Sequence, residues 1–186
     1  MGSVVLHSGI SLDGFFEGED ADISWHRVDA ELHQHMNDVL RPAAAFLEGR
    51  VTYELMESYW PDADADPAST PVEAEFAGIW RDTPKVVYSR TLRSVGPNAT
   101  LARDVVPEDV RALAARSDGD LVVGGAVLTA RFLELRLIDE FRIYVHPVVV
   151  GRGRRLFGEG APLTGLRLVD THTFGNGVVL LHHVRV

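Results

Sequence analysis

The sequence predicts an α/β fold: a single domain, 1–186, on a mixed, mostly parallel sheet flanked by helices, with a C-terminal antiparallel hairpin. Three observations predict it. Strand-like and helix-like patterns alternate along most of the chain, as a parallel sheet with crossover helices requires. Leu121-Val122-Val123 is an apolar run that breaks on Gly124-Gly125 and gives way to helical periodicity. Near the end, Gly175-Asn176-Gly177 separates two strand-like runs, Leu166 to Phe174 and Val178 to Val186, as a hairpin turn does.

Val4 to Ile10 reads as the opening strand, closed by the turn signal Leu12-Asp13-Gly14. Asp29 to Leu40 reads as a helix with Leu32, Met36, Val39 and Leu40 on one face. Asp29 and Glu31 sit at its positive end, where first-turn capping accounts for them as well as catalysis does. Ala43 to Leu47 is a short buried strand, and Gly49-Arg50-Val51-Thr52-Tyr53 opens a helix that ends before Pro61. The acidic tract PDADADPASTP, from Pro61 to Pro71, reads as a loop or a lid. Glu73 to Trp80 is helical, and Lys85 to Ser89 is a strand with Arg90 at its exit.

Pro107 suits a first helical position, Glu108 and Asp109 suit the positive end, and Val110, Leu113 and Ala114 form an apolar stripe closed by Gly119. The strand Leu121 to Val123 follows, then a helix from about Ala126 to Leu135, then a long strand pattern from Phe141 to Val150.

Composition removes several classes of function. At 186 residues and 46% hydrophobic content, the chain supports one sizeable core, and no linker-like tract divides it. A net charge of −9 with one lysine, Lys85, argues against nucleic acid or an anionic membrane as partner, and no Walker-type lysine is present. The absence of cysteine excludes disulfides, thiolate zinc sites and thiol nucleophiles, and suits the cytoplasm. No signal peptide is visible, and no run reaches the ~20 apolar residues of a membrane span.

In parallel sheets, ligands bind beyond the carboxyl ends of the strands. Three exits share a character here. Leu47-Glu48 runs into Gly49-Arg50-Val51-Thr52, Val86 to Tyr88 runs into Ser89-Arg90-Thr91, and the strand before Gly124-Gly125 runs into Ala126 and Val127. Helix-start amides bind pyrophosphate, and an arginine with hydroxyls grips a further phosphate. A tight strand-to-helix turn explains the Gly-Gly pair equally well when it is taken alone. Gly151-Arg152-Gly153-Arg154-Arg155 lacks the third glycine of a dinucleotide fingerprint and reads as a flexible turn or a ligand loop.

Taken in order, Ser11-Leu12-Asp13-Gly14-Phe15, Gly49 to Glu54, Val87-Tyr88-Ser89-Arg90, Val123 to Ala126, Leu137-Ile138-Asp139-Glu140, Pro147 to Gly153 and Leu156-Phe157 resemble the dihydrofolate-reductase-like family. The nearer branch contains the reductase domain of bacterial riboflavin biosynthesis. The resemblance spans nearly the whole chain. It implies an NADPH-dependent reductase, in which Gly49 to Thr52 hold cofactor phosphate, Ser89 and Arg90 the 2′-phosphate, and Gly124, Gly125, Ala126 and Val127 the pyrophosphate; the strand-exit reading adds the Thr91 hydroxyl to the cofactor-binding residues. Ser8 and Gly9 would lie near the nicotinamide, under a flap at Asp13 to Phe16 with Trp25 near its far end. An arginine in place of an acid at the adenosine ribose independently favours NADP.

The family's helical substrate carboxylate has no clear counterpart. Its position falls near His33, with Asp29 and Glu31 upstream, and Ser24-Trp25 replaces the family's Pro-Trp pair. Asp13, Asp29 and Glu31 are therefore the candidate acids, and Phe16, Trp25, Tyr53 and Trp60 the candidate substrate-pocket residues. The paired histidines His33/His35 and His182/His183 do not share a face, so no metal site is expected. The absence of a Gly-x-Ser-x-Gly elbow argues against an α/β-hydrolase mechanism. The expectation is reduction of a C=N or C=O bond in a small pterin- or pyrimidine-like molecule, the alternative being an NADPH-binding module without turnover. A homodimer is also expected, because Val178-Val179-Leu180-Leu181 is apolar on both faces.

Overall fold

In the computed structural model, which describes residues 2–186, ten strands and five α-helices follow the expected alternation. The strands are β1 (Val4–Ser11), β2 (Phe15–Glu17), β3 (Ala45–Gly49), β4 (Lys85–Tyr88), β5 (Ala99–Ala102), β6 (Leu121–Gly124), β7 (Glu140–His146), β8 (Arg154–Arg155), β9 (Leu166–Thr173) and β10 (Val179–Arg185). The helices are α1 (Ala30–Leu40), α2 (Arg50–Glu57), α3 (Pro71–Asp82), α4 (Pro107–Arg116) and α5 (Ala126–Glu134). Eight strands form one sheet in the order β5-β4-β3-β6-β1-β7-β10-β9, and β2 pairs with β8 as a separate ribbon. The strands from β5 through β7 run parallel, while β10 is antiparallel to both β7 and β9.

Local chemistry explains the helix boundaries. The Asp29 carboxylate accepts from the Leu32 amide at 3.0 Å and starts α1. A reciprocal capping box between Thr70 and Glu73, with Pro71 at the first helical position, starts α3. Core side chains cover both sheet faces: Phe132, Leu133 and Val110 pack against β1 and β6, while Phe76, Ile79 and Trp80 pack against Phe46 and Val87. Under α1, Leu32 meets Tyr144, Phe174 and Leu180. A parallel strand buried on both faces needs no polar alternation, which is why Val4 to Leu6 and Leu121 to Val123 read as unbroken apolar runs.

Beside small shifts such as β3 starting at Ala45 and α3 at Pro71, both two residues from the expected starts, four features differ from the expectation. The strand expected over Phe141 to Val150 stops at His146, because Pro147 has no amide to continue the ladder. Strand β5 has only half-buried and exposed residues, so it carries no alternation to reveal it. The acidic tract begins as a short 3-10 helix, Trp60–Ala65, which the Arg81 guanidinium ties down through Asp64 at 2.8 and 2.7 Å and the Pro61 carbonyl at 2.9 Å. Gly119 does not close α4, which ends at Arg116; a Cβ there would lie 2.1 Å from the Pro42 carbonyl oxygen, so its role is close backbone approach.

The register places the functional ends together. Leu47 and Leu6 both pair with Val123, Glu48 pairs with Gly124, and Gly49 pairs with Tyr88. β6 therefore ends level with β3 and β4, while β1 runs on through Ser8 and Gly9 along β7. The step leaves a crevice where β6 stops, between β3 and the extension of β1.

Candidate active site

Two cavities open at this end of the sheet and share Phe16, Thr52 and Gly125 in their walls. The first, a groove of about 440 Å³, runs over the starts of α2 and α5. Both helices begin after a glycine, Gly49 and Gly125, and neither has a side-chain cap, so their first-turn amides are free to meet an anion. Gly125 has φ +86, and a Cβ there would lie 2.4 Å from Thr52 Oγ1. Both the backbone angle and the space demand glycine.

Four guanidinium groups border the groove: Arg50, Arg90, Arg131 and Arg154. Each is held by a carboxylate: exposed Glu54 at 2.7 Å, Asp104 at 2.6 Å and Glu134 at 3.1 Å, and half-buried Glu17 at 2.7 Å respectively. Such surface pairs are worth about 0–1 kcal/mol, so the arginines remain available to a stronger anion. The Ser89 hydroxyl accepts from the Thr91 and Leu92 amides at 3.2 and 3.0 Å, which sets the loop that carries Arg90.

The second cavity, of about 510 Å³, lies deeper and is mainly apolar. Phe46, Trp60, Phe76 and Trp80 supply aromatic walls, with Trp60 edge-on to Phe76 at 4.6 Å. Four polar groups in this wall are buried and unpartnered: His7 Nδ1, His26 Nε2, Glu48 Oε2 and His146 Nε2. Burial holds His7 down at about 3 and His146 at about 4, and pushes Glu48 up to about 8. Both imidazoles are thus neutral and Glu48 is protonated near pH 7. The Arg27 amide donates to His146 Nδ1 at 3.0 Å, which leaves the ring proton on Nε2, beside Gly9. His26 stacks on His146 at 4.7 Å and 15°, fixing its plane.

The structure brings most of the expected residues to these cavities. Gly49, Arg50, Val51 and Thr52, then Ser89, Arg90 and Thr91, then Gly125, Ala126 and Val127 line the groove. Ser8, Gly9 and Gly124 line the deeper cavity, Phe16 stands between the two, and Trp60 lines the deeper one. Tyr53 does not: it is buried in the core, and its hydroxyl accepts from the Gly96 amide at 2.8 Å. Trp25 is outside the wall as well, packed edge-on behind His26 and His146.

The three candidate acids are engaged elsewhere and line neither cavity. Asp29 caps α1, and Glu31 accepts from the Gly175 amide at 3.0 Å, fastening α1 to the hairpin turn. Asp13 accepts from the Ser11 hydroxyl at 2.6 Å and the Val150 and Gly151 amides at 3.0 and 2.8 Å. These bonds pin the β1–β2 turn to the loop after β7. They hold the Asp13 carboxyl at about 2, the Ser11 hydroxyl contributing most. Because the folded value is depressed, its contribution is complete above about pH 4 and lost as pH falls toward 2. Asp13→Asn is therefore expected to flatten the fall in melting temperature between pH 4 and 2; an unchanged acid limb would overturn that reading.

Glu48 and His146 were not among the expected site residues. The signal for Glu48 is an acid that directly follows the apolar run Ala45 to Leu47, at the last position before a glycine-started helix. His146 is at a strand exit hidden by an expected strand that ran to Val150.

Residues 3–180 match the RibD C-terminal domain, and the chain belongs to that family. It is 33% identical over 182 residues to YyaP of Bacillus subtilis strain 168, an uncharacterized protein, across 97% of this chain and 94% of YyaP. A structure from Shewanella sp. PV-4, provisionally assigned to riboflavin biosynthesis, superposes with TM-score 0.75 at 20% identity, covering 100% of this chain and 99% of that one. A Thermotoga maritima diaminohydroxyphosphoribosylaminopyrimidine deaminase/5-amino-6-(5-phosphoribosylamino)uracil reductase superposes with TM-score 0.67 at 16% identity; this chain spans 57% of it. The ordered motifs thus identified the family correctly, and the mixed, mostly parallel sheet is the fold these structures share. Among the described residues, no helix is long and apolar enough to cross a membrane, and no cluster of three or more His, Asp or Glu is placed to hold a metal ion.

Proposed function

We propose that the protein is an NADPH-dependent reductase of a C=N or C=O bond in a small ring-shaped molecule. The observation that carries this reading is the junction of the two cavities. A groove with two uncapped helix starts and four guanidiniums opens, past Phe16, Thr52 and Gly125, into an aromatic cavity with buried polar groups. A phosphorylated dinucleotide has matching ends. The glycine-floored helix starts suit its pyrophosphate, Arg90 with Ser89 and Thr91 suits a 2′-phosphate, and Ser8 and Gly9 offer a flat strand end to a planar ring. When bound there, NADPH would supply the hydride.

The chain's own part is to hold the acceptor, exclude water and manage a proton. Phe46, Trp60 and Trp80 give planar contact and a dry wall. His146 offers Nε2–H as a fixed donor, and protonated Glu48 holds a proton inside the cavity. Binding without turnover is the rival reading, motivated by the engagement of Asp13, Asp29 and Glu31 elsewhere. Oxidation of NADPH followed by loss of its 340 nm absorbance, with pterins, diaminopyrimidines and cyclic imines as acceptors, separates the two. NADPH binding without oxidation favours the module, and absence of NADPH binding overturns both readings.

Assembly belongs to the same proposal. Every residue of the edge strand β9 is exposed, including Leu166, Leu168 and Val169, and Val179 and Leu181 on β10 are only half-buried. An unpaired apolar edge of this kind is covered in a twofold dimer by its own copy. Light scattering at micromolar concentration is expected to give twice the 20.5 kDa chain mass. A clean monomer would overturn the dimer.

A further inference from the structure

The two cavities differ in charge, and the difference narrows the ligand. The groove has four guanidiniums, whereas the deeper cavity, among the described residues, is lined by no lysine or arginine. Its four histidines, His7, His26, His33 and His146, are all held below the ordinary imidazole value by burial, so none offers a positive charge near pH 7. The Lys85 ammonium is buried outside the wall, where it donates to the Trp80 carbonyl and lies 4.5 Å over the Trp80 ring.

The remaining ionisable groups are acids. Glu73 is bound by the Thr70 amide and hydroxyl at 2.7 Å, which keeps its carboxyl low and therefore anionic. Glu48 is only 5% exposed, and its Oε2 is buried in the wall without a partner. A phosphate dianion placed in this cavity would shed its hydration shell and find two carboxyl groups and no cation. A flat, uncharged ring would instead gain the aromatic walls and satisfy the orphan oxygen.

We propose that this cavity takes an unphosphorylated, planar nitrogen heterocycle, which turns a ring nitrogen or an exocyclic N–H to Glu48 Oε2. The ligand class therefore differs from the phosphoribosylamino-uracil in the name of the Thermotoga maritima structure. The proposal rests on the reductase reading for the reaction that follows binding, and not for binding itself.

Trp60 and Trp80 are in the wall, so a ring that enters should quench tryptophan emission. The protein, loaded with NADPH to block the anion groove, is titrated with 2,4-diaminopyrimidine, 6-methylpterin and quinazolin-4-one, and separately with UMP and AMP. At least one unphosphorylated ring is expected to quench saturably, tenfold or more tighter than either monophosphate. Equal or tighter binding of a monophosphate, or binding by none of the three rings, would overturn the proposal. Glu48→Leu is expected to weaken the ring at least tenfold and leave NADPH affinity unchanged; unchanged ring affinity would overturn the part given to Glu48. Glu48→Met, unbranched and of similar length, gives the same reading if the leucine variant does not fold. Should the wild type fail to bind NADPH, the reductase reading falls, and the ring titrations on the free protein still decide the ligand class.

Discussion

Gly125→Asp is expected to weaken NADPH binding by roughly thirtyfold or more. Gly125 is the N-cap of α5, where the free amides of the first turn face the groove. A carboxylate there neutralises the favourable end of the helix dipole and stands against the pyrophosphate. Two unit charges 4 Å apart at an effective dielectric constant near 20 repel by about 4 kcal/mol, and screening at an open groove leaves on the order of 2 kcal/mol, roughly thirtyfold. Shape adds to charge, because φ is +86 and Thr52 Oγ1 lies 2.4 Å from the site of a Cβ. Gly125→Asn separates the two effects. It has the same outline without the charge, and at φ +86, ψ 134, backbone angles that suit glycine alone, both variants carry the same strain, so their difference reports the charge. The asparagine variant is expected to bind NADPH at least tenfold more tightly than the aspartate variant, by fluorescence titration with folding checked by circular dichroism. Equal loss in both would mean that the groove does not hold an anion at this glycine.

The anion-suited groove was largely legible in the sequence because it depends on backbone. Glycines at strand-to-helix junctions, and an arginine between hydroxyls at a strand exit, keep their meaning without knowledge of distant contacts. Gly49, Ser89 and Gly125 come together because parallel strands end level, as the pairing of Gly49 with Tyr88 and of Glu48 with Gly124 shows. The deeper cavity was less legible. Its wall draws on β1, β3, α1, α3 and the 3-10 segment at Trp60, and which side chains face inward is decided by how α1 and α3 pack on the sheet.

Polar residues show the same limit. Asp13, Asp29 and Glu31 stand out in the sequence as acids near expected functional segments, yet Asp29 is consumed by a local helix cap and Asp13 and Glu31 by backbone amides more than 130 positions away. Glu48 is the acid whose Oε2 the fold leaves without a partner, and it was visible only as one polar letter in an apolar strand. His146 needed two long-range facts: the halt of β7 at Pro147, and the Arg27 amide, 119 positions away in sequence, that sets its tautomer. Tyr53 and Trp60 are both aromatic residues near α2, and only packing sends one to the core and the other to the cavity.

Arg90→Ala is expected to remove most of the preference for NADPH over NADH. Arg90 lines the groove beyond β4, next to the Ser89 and Thr91 hydroxyls, and its side chain is 77% exposed. A charge-assisted contact to a 2′-phosphate is worth about 1.5–3 kcal/mol, and exposure brings the expectation to the lower end, roughly tenfold in Kd. NADH, which lacks that phosphate, should bind the variant as it binds the wild type. The neighbouring carboxylate gives a second variant of opposite sign. Asp104 holds the guanidinium at 2.6 Å and places a negative charge beside the expected phosphate. The ion pair is exposed, so breaking it costs about 0–1 kcal/mol of stability, and Asp104→Asn is expected to fold normally. It should bind NADPH several-fold more tightly, with no change for NADH, and the gain should shrink as ionic strength rises. Equal affinity of the wild type for the two cofactors, or an Arg90→Ala loss shared equally between them, would show that Arg90 does not read the 2′-phosphate. A gain for NADPH in Asp104→Asn that survives in the Arg90→Ala background would show that the carboxylate acts on the phosphate directly and not by occupying the arginine.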